Sequence, residues 1–106
     1  MFTFMSNQNR KLSMDLEGGG VSFHYDTRRG VYHVGVSWAS IHALLAKLRN
    51  YQDYSARNQS LFVRMQDQEL WLRFRAQDAK LEEECNFSPE ETAKIMDFLG
   101  RAPNLN

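Results

Sequence analysis

The sequence predicts an α+β fold in which a run of antiparallel strands leads into one amphipathic helix, twice over. Short stretches such as Lys11-Leu12-Ser13-Met14-Asp15-Leu16 alternate polar and apolar residues, the period of a half-buried strand. Two longer stretches space their apolar residues three and four apart, the period of a helix with one buried stripe. Both kinds of stretch come in the same order in each half of the 106 residues. The expected organisation is one domain of two β-β-β-α units, about 11–51 and 61–101. Residues 1–10 form an N-terminal arm and 102–106 a tail. Both helices should pack on one side of the sheets, with the halves related by a pseudo-twofold axis.

Residues 1–10 read as a loose arm before the first strand, 11–16. Gly18-Gly19-Gly20 ends that strand, and Val21-Ser22-Phe23-His24-Tyr25 alternates again. Asp26 to Gly30 is a turn in which Gly30 suits a positive φ. Val31 to Val36 is the third strand. Ser37 stands where an N-cap belongs, and Ile41, Leu44, Leu45, Leu48 and Tyr51 place a helix over 38–51. A polar connector, 50–60, leads to strands at 61–66, 69–76 and 81–87, joined by turns at Asp67-Gln68 and 77–80. Ser88-Pro89-Glu90-Glu91 then opens a helix: Ser88 caps it, Pro89 takes the first helical position, and Glu91 completes a capping box. Ile95, Met96, Phe98 and Leu99 form its stripe, Gly100 ends it and Pro103 lies just beyond.

A gapless shift of 51 lays Met14 on Met65, Phe23 on Phe74, Val34 on Cys85, Ser37 on Ser88 and Leu48 on Leu99. Identities are few; the order of strands, cap and stripe is what repeats. The expected core is Leu12, Met14, Leu16, Val21, Phe23, Tyr25, Val34, Val36, Ile41, Leu44 and Leu48 from the first half. Val63, Met65, Leu70, Leu72, Phe74, Cys85, Phe87, Ile95 and Leu99 complete it.

Composition narrows the function. With 42% hydrophobic and 25% charged residues, six Gly and two Pro, the chain is a globular domain rather than a disordered one. Thirteen basic and thirteen acidic residues cancel, so no global basic field marks it. Cys85 alone makes neither an internal disulfide nor a cysteine-based zinc cage. No apolar run approaches the ~20 residues that span a membrane, and the first residues lack a secretory pattern, so the expected location is the cytoplasm. No phosphate loop, nucleophile elbow or zinc-protease motif is present. The expectation is a protein that is not an enzyme, with no cofactor and no metal site.

The candidate site lies on a sheet face. If Val63 and Met65 point inward, Phe62 and Arg64 point outward, joined by Trp71, Arg73 and Arg75 of the next strand. A two-residue turn at Asp78-Ala79 sets Arg75 opposite Glu82 and Arg73 opposite Glu84. Aromatic rings stack bases and arginines pair with phosphates, so this pattern suits single-stranded DNA or RNA. The plainer alternative is a solvated face neutralised by Glu82 and Glu84, or a Trp71 anchor in a protein contact. His24 and His33 face each other across the first hairpin, with no third ligand for zinc. Arg28 sits in the turn between them. Cys85 is an inward core position, and Glu83 beside it needs a partner or an exposed edge.

Strands feeding one helix through Ser-Pro-Glu-Glu, in two successive units, resemble the single-stranded nucleic-acid-binding group of positive cofactor 4, Pur and whirly domains. The likeness of Leu81 to Leu99 is to the final strand and capped helix of positive cofactor 4, and the layout likeness spans about residues 11–100. Those families carry four strands per repeat and bind on curved sheets. The resemblance implies a binding surface at His24 and His33 in the first unit and at Arg64, Trp71, Arg73 and Arg75 in the second. The expected partner is therefore single-stranded nucleic acid contacted by Phe62, Arg64, Trp71, Arg73, Arg75, Arg28, His24 and His33. The alternative is a protein-interaction module (an adaptor, small inhibitor or oligomeric scaffold), including a homodimer; no membrane partner is expected.

Overall fold

The computed structural model describes residues 1–56, 58–76 and 81–101. In chain order the elements are β1 (Phe2–Met5), β2 (Lys11–Glu17), β3 (Gly20–Thr27), β4 (Gly30–Ser37), α1 (Trp38–Arg49), β5 (Tyr54–Ser55), β6 (Leu61–Gln66), β7 (Glu69–Arg75), β8 (Glu82–Phe87) and α2 (Pro89–Leu99). Strands β1 to β4 form one antiparallel sheet and β5 to β8 another, each in sequence order. The fold is thus α+β, with two four-stranded sheets where three strands per half were expected.

The two added strands correct the sequence reading. The loose arm is strand β1, with Phe4 buried opposite Leu12 and the Phe2 ring 4.5 Å from that of Phe98 in α2. The polar connector holds β5, in which Tyr54 is buried opposite Val63. Four and two residues are too few to display a period of two. The first helix is also shorter than expected: it ends at Arg49, and Tyr51 follows with φ 57° and 96% exposure.

Caps and turns follow local chemistry. The Ser37 hydroxyl accepts the Ser40 N–H and the Ser88 hydroxyl accepts the Glu91 N–H, each at 3.2 Å. The expected capping box does not close, because the Glu91 carboxylate turns instead to the Met5 N–H at 3.2 Å and to Lys94. Asp67 and Gln68, at φ 52° and 65°, make the two-residue hairpin turn whose twist matches its strands. Gly30 takes φ 131° at the end of the first-sheet turn. At Gly20 a Cβ would run into the Val36 carbonyl, so a side chain there would push β3 and β4 apart. The Asp78-Ala79 turn, Arg57, Pro103 and the tail lie outside the described residues.

The core sits between the inner sheet faces and the helices. α1 lies against β3, β4, β5 and β6, and α2 against β1, β7 and β8, so each helix touches both sheets. The rings of Tyr25 and Phe74 stack at 5.3 Å and 9° where the sheets meet. Eighteen of the twenty expected core residues are buried; the other two mark where the inner faces end. Leu16 is 54% exposed, near the end of β2, and Met65 is half-buried beside the Asp67-Gln68 turn. Phe4, Leu45, Tyr54, Leu61 and Phe98 join the core.

The gapless shift of 51 holds for part of each half. Val34 stands opposite Phe23 as Cys85 stands opposite Leu72. Leu12 stands opposite Tyr25 as Leu61 stands opposite Phe74, and both hairpins turn through two residues. Met14 therefore matches Val63 and Phe23 matches Leu72, not Met65 and Phe74. The longer connection between β7 and β8 absorbs the difference.

Candidate functional site

Alternation along β6 and β7 turns Phe62, Arg64, Trp71, Arg73 and Arg75 to the outer face of the second sheet. The short Asp67-Gln68 turn sets their register: Arg64 is opposite Trp71 and Phe62 opposite Arg73. Each pair places a guanidinium over a ring. Arg64 Cζ lies 5.0 Å from the Trp71 ring centroid and Arg73 Cζ 4.6 Å from that of Phe62. These four residues, with Leu72 and Glu84, line a cleft of about 180 Å³. An exposed guanidinium–ring contact contributes about 0.5–1 kcal/mol. Its effect here is geometric: each guanidinium is held beside a ring on the sheet face, with its cationic N–H groups close to the aromatic surface.

The expected cross-strand register is present, with Arg75 opposite Glu82 and Arg73 opposite Glu84. Neutralisation is partial. Glu84 Oε1 lies 3.9 Å from Arg64 Nη2, and no other ion pair forms on this face among the described residues. Arg75 Nη1 donates to Gln59 Oε1 at 2.9 Å. Gln59 was not expected at the site. It comes from the β5–β6 connection at φ 59°, and no local pattern marks it.

The histidines and Arg28 belong to the other sheet. His24 and His33 stand opposite each other on β3 and β4, their rings 4.5 Å apart and 25° from parallel. His24 Nε2 is 3.9 Å from Asp15 Oδ2. Arg28 is exposed in the β3–β4 turn. The structure thus assembles Phe62, Arg64, Trp71 and Arg73 at one cleft, with Arg75 beside it, and sets His24, His33 and Arg28 apart. One groove links the groups: His33 and Arg75 both line it, with Asn58 and Ser60.

Other reactive groups are buried. Burial pushes the Cys85 thiol and the Tyr25 phenol each up to about 12, and the Tyr25 hydroxyl lies 3.1 Å from that of Ser6. A thiol so raised is a poor nucleophile at neutral pH. Glu83 is half-buried opposite Phe74. Among the described residues no group of three or more His, Cys, Asp or Glu is placed to hold a metal ion, and no helix is long and apolar enough to cross a membrane. No family model, curated protein or solved structure matches the chain.

Proposed function

We propose that this chain is a non-catalytic, cytoplasmic binder of single-stranded DNA or RNA that uses the outer face of the second sheet. The observation that carries the reading is the pair of crossed guanidinium–ring contacts, Arg64 on Trp71 and Arg73 on Phe62, side by side over one cleft. A base stacks on the guanidinium plane or takes its place on the ring, and the displaced arginine turns to a phosphate. Arg75, held at the rim by Gln59, extends the cationic track toward the groove at His33.

The architecture supports the resemblance to the Pur and whirly group through its four strands per sheet, each sheet leading into a helix. In this reading the chain is an internal duplication with both helices on one side of the sheets. The matching registers and the stacked Tyr25–Phe74 pair, equivalent residues of the two halves, support a pseudo-twofold axis between those rings.

The test is anisotropy of labelled oligo-dT and a matched RNA, titrated at two salt concentrations. Three arginines on phosphates give a slope of log K against log salt of about −2. Trp71→Ala loses about 1–3 kcal/mol of binding. A flat titration at low salt removes the proposal. It would favour the second reading, a protein-interaction module or homodimer anchored by Trp71, which the half-buried indole also suits.

A further inference from the structure

We propose that Glu84 makes the arginine–aromatic cleft a base-reading site that takes cytosine in preference to thymine or uracil. The inference rests on the single-strand platform proposed above and names the base that this platform selects.

The cleft holds one acceptor side chain among donors. Of the described residues that line it, Phe62 and Leu72 are apolar, while Arg64, Arg73 and Trp71 carry N–H groups that only donate. Glu84 is the only one of them whose side chain accepts. The main chain of β7 adds little to the floor, because β7 is paired on both sides, with β6 and β8. For phosphate binding a carboxylate here is a handicap, since it repels the anion that the arginines attract. For recognition of a base edge it supplies what guanidinium and indole groups lack.

Its placement suits that use. Phe62, Arg73 and Glu84 stand in one row across the sheet, with Arg73 in the middle. Arg73 leans onto the Phe62 ring, and no ion pair joins it to Glu84. Glu84 reaches instead across β7 to Arg64, which belongs to the neighbouring row with Trp71. Arg64 Nη2 and Glu84 Oε1 lie 3.9 Å apart, beyond hydrogen-bond length. The side chains are 40% and 48% exposed, and an ion pair so exposed contributes little stability. A donor fork and an acceptor thus stand side by side at the cleft without a hydrogen bond between them.

Cytosine is the base whose edge matches this pair. Its N4 amine donates, and N3 and O2 beside it accept. The amine meets the Glu84 carboxylate and the two acceptors meet the Arg64 fork, while the ring stacks on Phe62 or Trp71. Thymine and uracil have the same ring but carry a carbonyl at position 4, which would face the carboxylate oxygen to oxygen. Adenine offers only N1 as an acceptor beside its amine on that edge. Guanine offers two donors, N1 and N2, which take up the carboxylate and leave the Arg64 fork a single acceptor, O6.

The test is anisotropy of labelled oligo-dC, oligo-dT and oligo-dU of equal length, at mildly alkaline pH where cytosine N3 is unprotonated. Equal length and charge hold the phosphate contribution constant, so differences report the base. Oligo-dC should bind at least about fivefold more tightly than the other two. Replacing both N4 hydrogens of cytosine by methyl groups should erase the preference in the unaltered protein. Glu84→Gln should erase it as well, because an amide both donates and accepts. Oligo-dT should bind that variant no more weakly, since the carboxylate gives thymine nothing. Salt-sensitive binding of all three oligonucleotides with equal affinity overturns the inference and leaves the single-strand platform standing. So does a preference for oligo-dC that survives N4 methylation or persists in folded Glu84→Gln. Tighter binding of oligo-dT carrying interspersed guanines than of the same strand carrying cytosines also overturns it. Binding of none of them removes both the inference and the platform on which it rests.

Discussion

On the outer face of the first sheet, β2 and β3 present Ser13, Asp15, Ser22, His24 and Asp26. At the matching register positions of the second sheet, β6 and β7 present Phe62, Arg64, Trp71, Arg73 and Arg75. The hairpins share turn length and inward packing, so the frame does not demand aromatics or arginines outside. Ser22 shows this directly: where the second sheet has Trp71, the first is served by a small hydroxyl donating to Glu17 at 2.6 Å. On the second sheet Phe62 and Trp71 are half-buried beneath arginines, a cluster of rings and cations that the first sheet lacks at these positions. The proposed binding surface is this face, and the first sheet offers its internal control.

The largest expected effect comes from breaking what the two faces share. Phe74→Ala removes one ring of the central stack and should lower stability by about 3–5 kcal/mol in urea unfolding. Both sheets should be lost in one transition, since each helix bridges them. Separate transitions for the two halves would show that the halves are independent.

High pH strains the same centre. The folded-state values of Tyr25 and Cys85 lie near 12, above their ordinary values of 10.0 and 9.0. The unfolded chain releases these protons first, so their contribution is intact below about pH 9 and is lost as pH rises toward 12. The denaturation midpoint should fall over that window, and less steeply in Cys85→Val.

The comparison of the faces is sharpened by a matched pair. Trp71→Ala should cost about 1–3 kcal/mol of oligonucleotide affinity, whereas Ser22→Ala should leave affinity unchanged. Equal losses would mean that the two faces do not differ in function. The smallest effect has the opposite sign. Glu84→Gln frees Arg64 from its carboxylate and should tighten binding roughly twofold, against no change for Asp15→Asn on the other sheet.

Much of the site was legible because side chains in a strand alternate strictly. Once Leu70, Leu72 and Phe74 were placed inward, Trp71, Arg73 and Arg75 had to face outward together, and the short Asp67-Gln68 turn aligned them with Phe62 and Arg64. That the arginines lie over the rings was not legible; it depends on side-chain torsions that no pattern encodes. Nor was the separation of His24, His33 and Arg28 from the cleft, since outward residues of two sheets look alike until the sheets are set against each other.

The sequence by itself determined the α+β class, the serine caps of both helices, the inward and outward sides of the longer strands, and the pairing of His24 with His33. These follow from local rules of period, capping and turn length. Tertiary structure decided the rest. β1 exists because Phe2 and Phe4 meet Phe98 and the Met5 N–H meets Glu91, from the far end of the chain. The offset between the halves arises in the longer β7–β8 connection, and the edge of β8 at Asn86 is covered by the segment after β1. Each of these depends on contacts between residues distant in sequence, whose free energy appears only when the chain is folded.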